Sequence, residues 1–210
     1  MIKDLLKKHP ILPIIQADSI EEGLKAMEAI QQGGLSTVEI TLRTPASQDF
    51  IKHAVKAFPE FTIAVGTITQ PQDLQITQDL GASFGVSPGL NPELLTAAQN
   101  LNLPLLPGVA TPSDVMLGLQ HGYDTLKLFP AGVLGGTDYL KALSGPFNGV
   151  NFCPTGGVHG GNFMDFLKRP NVLSVGGTWL VPLEKMKAKD WPGITKLIQE
   201  SLTTLKATIP

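Results

Sequence analysis

One cysteine, Cys153, is all the thiol chemistry in this chain of 210 residues. That excludes an internal disulfide and fits a reducing compartment. Arginine is almost as scarce: Arg43 and Arg169 stand against fourteen lysines, and the formal net charge is −2. Such a balance carries no basic footprint and argues against nucleic acid as a partner. No apolar run is long enough to span a bilayer, and the opening MIKDLLKKHP is too polar for a secretory signal. The chain therefore reads as a cytoplasmic, soluble protein without a membrane partner. Its four histidines, His9, His53, His121 and His159, are scattered, and none falls in H-x-H or H-E-x-x-H spacing. No metal is expected from that pattern. Neither a Walker loop nor a dinucleotide fingerprint occurs, and no cofactor is expected.

Hydrophobic residues make up 42 % of the chain and charged ones 16 %, which argues for a well-covered interior rather than disorder. Short apolar stretches alternate with helix-like ones throughout. The expected strands are 11–17, 36–43, 62–68, 83–89, 103–110, 125–131, 150–157 and 172–180. Helices are expected at 18–34, with Asp18 or Ser19 as cap and Gly33-Gly34 as stop, and from Pro45 to Phe58. Further ones follow from Pro71, at 92–101, at 112–122 with Thr111 or Ser113 as cap, near 136–144, at 161–169 and within 190–207. Eight strand–helix units without a composition break predict one domain, residues 1–210, folded as a single α/β (β/α)8 TIM barrel. An open doubly wound sheet is the competing architecture.

The stretch VEITLRT, residues 38–44, places Glu39, Thr41 and Arg43 at alternate positions between Val38, Ile40 and Leu42. At period two the apolar set faces the helices, and the polar set points into the barrel. Ionised groups placed there need partners. The sixth strand, TLKLFPA, supplies one, since Lys127 lies between Leu126 and Leu128 at roughly the depth of Glu39 and shares its face with Phe129. A structural ion pair would be one use of the two residues, although desolvation often consumes the Coulomb gain of such a pair. A Schiff-base nucleophile is the other. An amine attacks a carbonyl only when neutral; burial and a nearby cation favour that form, while a carboxylate opposes it. Glu39 would then move protons among carbinolamine, imine and enamine.

Other strand ends carry complementary groups. Gly66 and Thr67 close the third strand, and Ser87-Pro88-Gly89 close the fourth. Glycine lets a ligand approach the backbone, and a hydroxyl can bond a carboxylate oxygen. PTGG (154–157) and GGTW (176–179) end the last two strands, where barrels often bind phosphate on backbone N–H groups. Cys153 shares the parity of Thr155 and is read as packing. Trp179 is read as core, and the lysines at 185–189 as a solvated face.

Together VEITLRT, Gly66-Thr67, SPG at 87–89, K-x-FPA at 127–131, FCPTGG at 152–157 and GGTWLVP at 176–182 closely resemble the 2-keto-3-deoxy-6-phosphogluconate aldolase family, which also includes 4-hydroxy-2-oxoglutarate aldolase activity. The resemblance runs from about residue 11 to 205. It implies a metal-independent class I aldehyde-lyase on a (β/α)8 barrel, usually trimeric, acting on a phosphorylated keto acid. Lys127 would form the imine with pyruvate, and Glu39 would be the general acid/base. Arg43, Thr67 and the backbone at Gly66 would hold the pyruvate carboxylate, with Pro88 and Phe129 shaping the pocket. Gly156, Gly157, Gly177 and Thr178 would take the phosphate, and Thr155 would meet a substrate hydroxyl.

Two positions depart from the family pattern. Thr178 stands where serine is common, and Gly132 stands where glutamate is frequent. The resemblance implies that the hydroxyls of Thr155 and Thr178 favour the gluconate-derived substrate over the galactonate-derived one, whose enzymes look more apolar there. A 2-keto-3-deoxy-6-phosphogalactonate aldolase, a sugar-phosphate epimerase, or a non-catalytic barrel binding a sugar-acid phosphate, are the alternatives.

Overall fold

The computed structural model describes residues 2–208. Its strands are β1 (Ile11–Ile15), β2 (Thr37–Thr41), β3 (Thr62–Gly66), β4 (Phe84–Val86), β5 (Leu105–Leu106), β6 (Gly108–Val109), β7 (Thr125–Leu128), β8 (Asn151–Pro154) and β9 (Val175–Gly177). All paired strands run parallel, as strand–helix alternation requires. Six form one sheet in the order β5-β4-β3-β2-β1-β9, and three form a second in the order β6-β7-β8. The expected fifth strand is split in two by Pro107, which has no N–H to give to a ladder. Its carbonyl still accepts from Lys127 N at 2.8 Å. On the other side, isolated bridges join Phe152 to Val172 and Thr155 to Gly176.

The helices are α1 (Ile2–Lys8), α2 (Ile20–Gly33), α3 (Ser47–Ala57), α4 (Pro71–Asp79), α5 (Pro92–Asn100), α6 (Pro112–Gln120), α7 (Gly136–Ser144), α8 (Phe163–Leu167), α9 (Leu183–Lys187) and α10 (Trp191–Thr208). Their starts follow local chemistry. Ser19, not Asp18, caps α2 by accepting from Glu22 N at 3.2 Å, and Gly34 ends that helix at φ 99°. Thr111 rather than Ser113 caps α6, in a reciprocal box with Asp114. Pro71 is the first residue of α4, where its missing N–H costs nothing. Among the described residues no helix is long and apolar enough to cross a membrane.

Apolar side chains separate into two layers by strand parity. Ile11, Ile15, Val38, Ile40, Val65, Leu126, Leu128 and Phe152 pack outward with helix residues such as Phe50, Leu95 and Ile198. Leu12, Ala64, Phe84, Val86, Leu106 and Cys153 form a separate inner cluster. Each fully buried Leu, Ile or Phe contributes about 1.5–3 kcal/mol. Helix α1, absent from the sequence reading, sends Leu6 into the inner cluster. Its seven residues bury only that one side chain, so no amphipathic period announces it. Helix α9 likewise arises inside the lysine-rich stretch and buries only Met186.

Candidate active site

Strand β2 fixes the first functional side chain by register. Glu39 has Ile14 and Ala64 as its Cα partners on β1 and β3, and it is only 2 % exposed. Val38 and Ile40 turn to the helix layer, so Glu39 faces the opposite way. On β7 the same logic applies. Leu126 and Leu128 pack outward, and Lys127, paired with Cys153 and Gly108, faces in at 5 % exposure. The two inward groups meet across 88 residues of chain: Lys127 Nζ donates to Glu39 Oε1 at 3.3 Å. Lys127 Nζ also lies 5.4 Å from the centre of the Phe129 ring.

This pair sits in the wall of a cavity of about 110 Å3. Arg43, Phe129, Thr155, Gly156, Gly157, Gly177 and Thr178 line it as well, so nine of the twelve residues singled out in the sequence share one cavity. Ile14 and Val158 complete its lining. Sequence reasoning missed both. Ile14 was legible as a strand residue of inward parity, but an isoleucine carries no chemical signal. Thr155 is buried, and Thr178 at the rim is exposed.

The other three stand behind or beside this wall. Thr67 is reached through Arg43, whose Nε donates to Thr67 Oγ1 at 2.9 Å. That spends one guanidinium donor and leaves the terminal nitrogens for other acceptors. Thr67 has φ 65°, an uncommon conformation for a β-branched residue. Gly66 is buried beside Glu39, on the adjoining strand. Pro88 lines a different cavity, of about 240 Å3, with Ile68, Leu90 and Leu94.

The loops that carry the glycines are tied to each other. Ala131 N donates to Thr155 O and Gly132 N to Gly156 O, both at 2.8 Å. Gly156 and Gly157 have φ of 86° and 80°, which favours glycine at both positions. A Cβ on Gly132 would come within 3.1 Å of Gly157 Cα, so a side chain there would press on the loop. Gly132 therefore allows close backbone packing beneath the rim.

Cys153 belongs to the inner cluster below the pair. Burial pushes its thiol up to about 12, only partly offset by the Lys127 ammonium. A thiol so rarely ionised is packing rather than a nucleophile. Trp179 stacks on Phe163 with ring centres 5.9 Å apart, as expected for core. Of the histidines, His53 and His159 are exposed, while His121 is half-buried at the end of α6. His9 is buried, with its Nε2 3.2 Å from the Thr62 hydroxyl.

A buried lysine beside a carboxylate, under an arginine and a glycine-lined rim, is an arrangement suited to imine chemistry on an anionic substrate. Comparison with known proteins agrees. The model of the aldolase family described as KDPG and KHG aldolase matches residues 2–197. A 2-dehydro-3-deoxy-phosphogluconate aldolase of Pseudomonas aeruginosa is 43 % identical over 201 residues, covering 96 % of this chain and 91 % of that protein. A KHG/KDPG aldolase of Escherichia coli K12 is 40 % identical over 204 residues, covering 97 % and 96 %. The crystal structure of a KDPG aldolase from Legionella pneumophila, with pyruvate captured at low pH as a covalent carbinolamine intermediate, superposes with a TM-score of 0.92. It is 40 % identical, and the match covers 95 % of this chain and 97 % of that one. With a matching family model and relatives at this identity over nearly the whole length, the chain belongs to the KDPG and KHG aldolase family.

Proposed function

We propose that this protein cleaves 2-keto-3-deoxy-6-phosphogluconate to pyruvate and glyceraldehyde 3-phosphate through an imine on Lys127. The observation that carries the reading is the 3.3 Å contact between Lys127 Nζ and Glu39 Oε1 inside the cavity. Neutral Lys127 attacks the C2 carbonyl, giving a carbinolamine, and the former carbonyl oxygen leaves as water. Glu39 accepts the C4-hydroxyl proton, the C3–C4 bond breaks, and its electron pair passes into the iminium to give an enamine. Glyceraldehyde 3-phosphate departs. The enamine is then protonated at C3, and water hydrolyses the imine to pyruvate and free Lys127. Proton transfers by a positioned carboxylate contribute about 10²–10⁴-fold to such steps.

Arg43, with Thr67 bonded to its Nε, holds the pyruvate carboxylate at the mouth. Phe129 flanks the imine, and the backbone at Gly66 joins Arg43 and Thr67 in holding the carboxylate. Gly156, Gly157, Gly177 and Thr178 take the phosphate, and Thr155 meets a substrate hydroxyl. The hydroxyls of Thr155 and Thr178 favour the gluconate-derived substrate over its galactonate-derived relative. Cleavage of 4-hydroxy-2-oxoglutarate to pyruvate and glyoxylate is the second activity, favoured by the double name of the E. coli relative.

The same reading takes the two sheets as one closed (β/α)8 barrel forming a single domain. Its support is the Pro107 joint, where one strand serves both sheets, and the Thr155–Gly176 bridge on the opposite side. The reading also takes the protein as a homotrimer without cofactor or metal, as the family resemblance implies, and as cytoplasmic. The test is borohydride reduction in the presence of pyruvate, followed by peptide mass spectrometry. A reduced adduct on Lys127, absent from Lys127→Ala, is expected. An adduct on another lysine, or none on the folded protein, would overturn the mechanism.

A further inference from the structure

Glycine 66 and threonine 67 stand in the opposite order to the one their backbones favour. Gly66 has no positive φ and occupies an ordinary strand position, where glycine weakens a sheet and any residue with a side chain is the better choice. Thr67, the next residue, has φ 65°, where glycine would be free of strain. Backbone conformation therefore explains neither residue. Their neighbours on β2 and in the two residues after it explain both. A Cβ on Gly66 would fall on Glu39 Oε1 and within 2.8 Å of Glu39 Cδ and Cγ. Thr67 Oγ1 accepts from Arg43 Nε at 2.9 Å.

We infer that Gly66 is a positioning residue for the acid/base: its missing side chain is the seat in which the Glu39 carboxylate lies beside Lys127. The inference rests on the role proposed above for Glu39 and is separate from any contact of the Gly66 backbone with substrate. Geometry limits where the carboxylate can go. Glu39 is 2 % exposed, its Oε1 accepts from Lys127 Nζ at 3.3 Å, and Oε1, Cδ and Cγ all crowd the space a Gly66 Cβ would take. The three atoms nearest a methyl at 66 all belong to the Glu39 side chain, so the fold absorbs the methyl by swinging that whole side chain aside. It is not easily absorbed by the chemistry, because that side chain moves off the lysine. Register supports the arrangement: Gly66 pairs with Thr41, so β3 lies directly beside the strand that carries Glu39.

The experiment is a double-mutant cycle on the full chain with Gly66→Ala, Glu39→Ala and both together. The readouts are kcat and KM for 2-keto-3-deoxy-6-phosphogluconate cleavage and the thermal unfolding midpoint. Gly66→Ala is expected to lower kcat by about a hundredfold, the lower end of what a positioned acid/base supplies. Its KM should stay within about threefold, because Arg43 and the glycine rim are untouched. In the Glu39→Ala background the space is empty. Adding Gly66→Ala there should cost kcat far less than the hundredfold it costs alone, and should leave the unfolding midpoint in place. Full kcat in Gly66→Ala, or losses that multiply in the double variant, would overturn the inference. A midpoint lower in the double variant than in Glu39→Ala would also overturn it, and this reading needs no folded Gly66→Ala single variant. Full activity in Glu39→Ala would instead overturn the acid/base assignment itself, taking the seat with it.

Discussion

Replacing Lys127 by methionine removes a charge while keeping most of the side-chain volume, and the structure sets the size of the response. The lysine and Glu39 side chains are 6 % and 2 % exposed, with Nζ and Oε1 3.3 Å apart. Lys127→Met strands the carboxylate in the interior, and breaking a buried pair in this way costs about 3–5 kcal/mol. For a chain of this length about 1 kcal/mol moves the unfolding midpoint by ~2–4 °C, so a fall of roughly 6 to 20 °C is expected. Glu39→Met added to Lys127→Met removes the stranded charge with an unbranched side chain that can follow the path of glutamate past Gly66. Replacing a buried pair by apolar groups is about neutral or stabilising by ~1–4 kcal/mol, so the double variant should recover the wild-type midpoint or exceed it. It should have no aldolase activity. Urea unfolding and calorimetry at one fixed protein concentration measure both steps. A wild-type midpoint in Lys127→Met, or a double variant no more stable than the single, would refute the reasoning. The recovery, if seen, would mean that the pair is kept for chemistry at the expense of stability.

Burial, with repulsion from Lys8 added, holds the His9 imidazole below its ordinary value of 6.5. The unfolded chain then binds that proton first, so the stability due to neutral His9 is complete above about pH 6.5 and is lost on acidification below it. His9→Gln should flatten the fall of the unfolding midpoint between about pH 6.5 and 5; an unchanged slope refutes this. Cys153, with its thiol pushed up to about 12, should resist iodoacetamide at pH 8 in the native protein and react fully in urea. Rapid native labelling, followed by mass spectrometry, would contradict its burial. Gly157→Ala forces a side chain onto φ 80° and places its Cβ 2.9 Å from Gly132 Cα. Beyond the usual cost of about 1 kcal/mol or more, KM for the phosphorylated substrate should rise at least tenfold while pyruvate trapping on Lys127 persists. An unchanged KM would remove the glycine rim from the phosphate site.

Alternation in VEITLRT and TLKLFPA was sufficient to turn Glu39 and Lys127 inward, because a strand has period two whatever surrounds it. Caps at Ser19 and Thr111, the stop at Gly34 and the order of the strand–helix units were legible for the same reason: each depends on residues within a few positions of one another. The motifs of the last two strands marked the rim, and family resemblance supplied the substrate. Local pattern says nothing, however, about how far one strand slides along its neighbour. Inter-strand register laid Glu39 against Gly66, carried Lys127 across 88 residues to within 3.3 Å of it, and placed Pro88 on another cavity. The split at Pro107 depends on which ladder each half can join. Leu6 enters the inner cluster from a helix too short to show a period. Parity is a property of one strand, while register and cavity walls belong to many at once, so those were decided only when the sheets packed.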